Sequence, residues 1–144
     1  MAGDTENMAM TSWEAAPRLD GLRLLVVEDV PSVREVVVDA LEQCGAKVTA
    51  VESAVEGLTA VQQERPDALL TSISMPGEDG YWLIRQIRSL PTERGCATPA
   101  VAFTGLCSSA DRLEALRAGF QSYISKPVDL VKLVGVVAVL AGRQ

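Results

Sequence analysis

Residues 69–80 read LLTSISMPGEDG. Two leucines run into small hydroxyl residues, then a Met-Pro turn, then an Asp-Gly pair that opens a helix. The apolar residues mark a buried strand and the turn marks its exposed end. In an α/β sheet, ligand chemistry gathers beyond the carboxyl ends of the strands. Ser72 stands at that end and is the first candidate site residue.

The segments on either side repeat the same alternation. Upstream, LRLLVVE is a short β-branched run, followed by PSVREVVVDALEQCG, where Val33, Val36, Val37, Ala40 and Cys44 share one helical face. Pro31 sits near the first helical position and Gly45 is a stop. AKVTAVE predicts a second strand and SAVEGLTAVQQER a second helix, started by Ser53, with Val55, Leu58 and Val61 inward. After the strand DALLTSI comes the helix DGYWLIRQIRSL, carrying Leu83, Ile84 and Ile87, with Asp79 as its cap. Downstream, PAVAFTG and FQSYIS predict the fourth and fifth strands. Between them lies SSADRLEALRAG, capped by Ser108 or Ser109, and after them DLVKLVGVVAVLAG, with Leu130, Leu133, Val134 and Val137 inward. Strand and helix alternate five times. Strands that read as unbroken apolar runs are buried on both faces, so the expected fold is a doubly wound, five-stranded parallel sheet with helices on both faces. Residues 1–20 show no such period and are expected to be an N-terminal tail or linker, with Trp13 free to pack elsewhere. The expected domain spans 21–142, leaving 143–144 as a C-terminal end.

Bulk properties narrow the function. The chain has 144 residues, 48% of them apolar, and a net charge of −6. Such an acidic domain is a poor match for a phosphate backbone, so no nucleic-acid partner is expected. The longest apolar run, Leu133 to Gly142, is half of the about 20 residues a membrane-spanning helix needs, so no membrane partner is expected either. Cys44, Cys96 and Cys107 are odd in number and irregularly spaced, which fits reduced thiols and a cytoplasmic setting. There is no histidine, which excludes Ser-His and Cys-His nucleophiles and histidine-ligated metals.

The residues leaving the strands form a set. Glu28 and Asp29 end the first strand, Ser72 the third, Thr104 and Gly105 the fourth, and Tyr123 to Lys126 the fifth. Each has an ordinary explanation alone: Asp29 as a helix cap, Thr104 as a strand-end hydroxyl, Lys126 as a solvated lysine. Together they place two carboxylates, hydroxyls and an ammonium along one sheet edge. An oxygen-lined acidic cleft suits magnesium. Thr104 and Lys126 stand where they could donate to phosphoryl oxygens.

With LLVVED and its following Pro31, PDALLTSISMPGEDGYWLIRQIR, VAFTG and AGFQSYISKP in order, the sequence resembles the receiver domain of two-component response regulators, over roughly Leu22 to Leu140. The resemblance implies a flavodoxin-like (βα)5 fold and a non-enzymatic signalling role in a phosphorelay. It implies Glu28, Asp29 and the Ser74 carbonyl as magnesium ligands, and Thr104, Tyr123 and Lys126 as phosphoryl-contact and switch residues. A histidine kinase or phosphotransfer protein is the implied partner. The departure is Ser72, which stands at the phosphoacceptor aspartate position. A serine hydroxyl needs a base that an aspartate does not, so Ser72 is not expected to be phosphorylated. Two carboxylates and one ammonium remain where the family pattern has three and one, so weaker magnesium binding is expected. The loss is either natural or a deliberate replacement. The alternative is a pseudo-receiver scaffold or interaction module without phosphorylation chemistry. A cofactor binder would need a phosphate-cradling loop where Glu28 and Asp29 stand, and an aspartate-nucleophile phosphohydrolase would need an acid at Pro31. The chain's end at Gln144 fits either a stand-alone regulator or a receiver from a hybrid kinase. On the last helix, Val131, Val136 and Val139 lie off the inner face and suggest a homodimer or interdomain contact; Trp82 is a second surface candidate.

Overall fold

The computed structural model describes residues 16–105, 109–126 and 129–142. Trp13, Cys107 and Ser108, singled out above, and Pro127, the last residue of the AGFQSYISKP motif, lie outside the described residues. Five strands, β1 (Arg23–Val27), β2 (Lys47–Val51), β3 (Ala68–Ser72), β4 (Ala100–Thr104) and β5 (Ser122–Ser125), alternate with five helices, α1 (Pro31–Gln43), α2 (Ala54–Glu64), α3 (Gly80–Arg88), α4 (Ser109–Ala118) and α5 (Leu130–Leu140). All strand pairs are parallel, in the order β2-β1-β3-β4-β5. The chain moves from β1 outward to β2 and then returns past β1 to β3. That reversal opens a crevice at the carboxyl ends of β1 and β3.

Every residue of β3 and β4 is buried, because both faces of the sheet are covered. Along β1, Leu24 and Val26 point to one layer and Leu25 and Val27 to the other. The first layer is closed by Val37 and Leu41 of α1 and by Leu133, Val134 and Val137 of α5. The second is closed by Val61 of α2, by Leu83, Ile84 and Ile87 of α3, and by Ala115 of α4. Trp82 is half-buried against this second layer.

Helix starts follow the expected chemistry. The Ser53 hydroxyl accepts from the Glu56 N–H at 3.2 Å, and the Asp79 carboxylate from the Trp82 N–H at 2.9 Å. Asp129 does the same for α5, accepting from the Lys132 N–H at 3.2 Å. Asp29 does not cap α1; Val30 holds that position with no side-chain bond.

Three expectations are corrected. Val36 is 51% exposed and Val55 56% exposed, so neither belongs to an inner face. The buried face of α2 is Ala54, Gly57, Ala60 and Val61. A Cβ on Gly57 would lie 2.9 Å from a Val27 methyl, so small residues set how closely α2 approaches β1. The packed body also starts upstream of residue 21. Leu19 is fully buried and Ala16 nearly so, in the α1–α5 layer, and the Leu19 N–H donates to the Cys44 carbonyl at 2.7 Å.

Candidate functional site

The crevice is organised by a buried acid. Glu28, one residue past β1, has no solvent exposure. Its backbone N–H continues the ladder to the Val51 carbonyl at 3.1 Å. A buried carboxylate is tolerable only when it is paired and hydrogen-bonded. Both oxygens meet that condition: Oε1 accepts from Lys126 Nζ at 3.0 Å and Oε2 from the Val30 N–H at 3.1 Å. The Glu28 carbonyl accepts from Arg34 Nη1 at 2.7 Å, tying α1 to the end of β1.

Lys126 is the hub. Its backbone N–H donates to the Thr104 carbonyl at 2.7 Å, which fixes where the chain leaves β5. Its ammonium reaches back across the sheet to Glu28 and donates to Ser72 Oγ at 3.0 Å. It also lies 5.3 Å from the centroid of the Phe103 ring, an attractive arrangement for a cation over an aromatic face. Residues 28, 72 and 126 thus converge on one ammonium from three strand ends.

Ser72 is fully buried, and its backbone is tightly placed. The Thr71 hydroxyl donates to the Ser72 carbonyl at 3.0 Å. The Gly80 N–H donates to the Ile73 carbonyl at 2.8 Å, bringing the start of α3 against the end of β3. A Cβ at residue 80 would collide with the Ser72 carbonyl oxygen, so only glycine allows this approach.

The remaining expected residues lie on the same edge at different depths. Thr104 is buried at the end of β4, in register with Ser125 of β5. Tyr123 is buried on β5, with the Arg112 guanidinium 5.6 Å from its ring centroid. Asp29 is half-buried beside Glu28, and Ser74 is exposed in the loop after β3. Arg34, Val30 and Phe103 were not anticipated. Arg34 carried a legible signal, a basic residue on α1 six positions after the buried acid.

The donor set is all oxygen, which suits a hard divalent cation that keeps most of its waters. The fit is partial. Glu28 is committed to Lys126 and Val30, and Ser72 brings no charge. Among the described residues no group of three His, Cys, Asp or Glu side chains comes together to hold a metal.

A family model for the response regulator receiver domain matches residues 24–138. An "uncharacterized 14.6 kDa protein in sodA1 3′ region" of Leptolyngbya boryana is 40% identical over 114 residues, covering 79% of this chain and 86% of that protein. The sensor protein GacS of Pseudomonas syringae is 36% identical over 116 residues, covering 80% of this chain; the chain spans only 13% of GacS. The crystal structure of the receiver domain of the sensor histidine kinase PA1611 from Pseudomonas aeruginosa, with magnesium coordinated in its active-site cleft, superimposes with a TM-score of 0.77 at 31% identity. That match covers 85% of this chain and 98% of the other.

Proposed function

The chain belongs to the response regulator receiver family, and from that premise we propose that it serves a two-component phosphorelay through protein contacts, with no phosphoryl acceptor at Ser72. The observation that carries the reading is the pairing at Ser72 itself. Its hydroxyl accepts from the Lys126 ammonium, which also donates to Glu28. A hydroxyl becomes a nucleophile only beside a base, and the group against Ser72 Oγ is a donor. A phosphoserine would also lack the lability of the acyl phosphate that an aspartate forms.

Asp29 and the Ser74 carbonyl are the groups this chain offers to a magnesium ion. When bound, the ion would offset charge on phosphoryl oxygens. Binding is weak in this reading, because Ser72 supplies a neutral oxygen where the family pattern has a carboxylate. A histidine kinase or phosphotransfer protein is the fitting partner, since the relatives include sensor kinases. On α5, Val131 and Val139 are exposed and Val136 half-buried, which supports a homodimer or interdomain contact there. No helix among the described residues is long and apolar enough to cross a membrane, in keeping with a cytoplasmic role.

A second reading, a pseudo-receiver scaffold without phosphorylation chemistry, is favoured by the lack of a three-ligand metal group among the described residues. Incubation of Ser72→Asp and parent protein with magnesium and a small phosphodonor separates the two readings by intact mass. The variant is expected to gain one phosphoryl group and the parent none. Equal modification of the parent would place the acceptor elsewhere. Modification of neither protein would favour the scaffold.

A further inference from the structure

Two helices in opposite layers carry surface charge that the fold leaves unmatched. On α1, Glu35, Asp39 and Glu42 are exposed along one stripe, with Val36 at its edge. Carboxylates spaced four and three residues apart repel one another. Glu42 also stands at the negative end of the helix dipole, and the last turn of α1 holds no basic residue. None of the three acids takes part in an ion pair among the described residues. Arg18, beside the end of α1, donates to the Gln43 carbonyl and pairs with Asp20, and Arg34 donates to the Glu28 carbonyl.

Helix α4 carries two exposed arginines, Arg112 and Arg117, alongside two acids, Asp111 and Glu114. Ala115 is its one buried residue, and Leu113 and Leu116 are 47% and 46% exposed. Arg112 and Arg117 flank those leucines, and neither engages a carboxylate among the described residues; Arg112 covers the Tyr123 ring instead. Glu114, also exposed, lines the groove between α4 and Arg85 of α3 together with Leu113 and Arg117.

We propose that α4 of one copy of this chain docks on α1 of a second copy. Arg112 and Arg117 would meet Glu35, Asp39 and Glu42, and Leu113 and Leu116 would cover Val36. Charge complementarity selects this occupant. In a chain of net charge −6 most self-contacts are repulsive. The pairing of α4 with α1 joins an acidic stripe to guanidinium groups that lack a carboxylate. Because α1 and α4 lie in different layers, the contact is head-to-tail and leaves a free α1 and a free α4 at the ends. It therefore grows with concentration and does not close at a dimer. The contact requires nothing of the Ser72 pocket.

The test is sedimentation of the full chain with two exposed charge reversals, R112E/R117E and E35K/D39K. At low salt the parent's average mass is expected to rise past that of a dimer as concentration approaches roughly 1 mM, and to fall back in about 0.5 M salt. Each variant alone is expected to remain monomeric, since like charges then face each other. Mixed in equal amounts the two are expected to associate again, because an acidic α4 now meets a basic α1. A parent that stays monomeric, a variant that associates alone as the parent does, or a mixture that fails to associate would each overturn the contact. So would a salt-resistant dimer abolished by Val139→Asp, which would assign the association to α5. Unchanged thermal unfolding of each variant confirms that the fold is intact.

Discussion

Two cations in this molecule solve the same burial problem by different means. Lys126 at the carboxyl end of the sheet is matched by a carboxylate, Glu28 Oε1 at 3.0 Å, and also donates to Ser72 Oγ at 3.0 Å. Arg88, at the end of α3, has no carboxylate among its partners. Its guanidinium donates to the carbonyls of Gly119, Cys96 and Thr98 at 2.7–3.0 Å and to the Gln121 side-chain oxygen at 3.0 Å. Burial pulls its proton affinity below that of an ordinary arginine. Arg88 thus stitches the α3–β4 and α4–β5 loops together through fixed dipoles, whereas Lys126 is held by a carboxylate and a hydroxyl from two other strand ends.

Mutations can break that distinction. Lys126→Ala leaves Glu28 buried and unpaired and is expected to cost about 3 kcal/mol in chemical denaturation. Adding Glu28→Gln should recover most of the loss, because the penalty belongs to the stranded charge. Arg88→Ala is expected to cost about 2 kcal/mol, with the carbonyls it served left to water. There, no second substitution of a carboxylate should restore stability. Arg88→Lys should recover less than half, since one ammonium cannot fork between two loops. Recovery of Arg88→Ala by removal of an acid would show that it too is an ion-pair site. Ser72→Ala should be the mildest, about 0.5–1 kcal/mol, since Lys126 keeps its carboxylate. A larger loss at Ser72 would mean that its hydroxyl, and not Glu28, anchors the lysine.

The convergence of Glu28, Ser72 and Lys126 was legible in the sequence because each stands at a strand end, where an apolar run stops. Arg88 was not legible, because its partners are backbone carbonyls that carry no residue-type signal. The inner face of α2 was misread for a related reason. Periodicity weighs Val55 and Leu58 above Ala54, Gly57 and Ala60, yet close helix–sheet approach favours the small residues. The same weighting drew Val36 inward. Leu19 escaped notice because a single apolar residue in a polar stretch has no period.

That leucine has a practical consequence. The family match begins at residue 24, but the physical module begins at least at residue 16. Transplanting this unit into another signalling protein from its first strand onward would leave a hole beneath α1 where Leu19 sits. It would also strip Arg18 from the Gln43 carbonyl and the Leu19 N–H from Cys44. A chimaera joined at the homology boundary would inherit that wound, and one joined ahead of Ala16 would retain the Leu19 and Arg18 contacts.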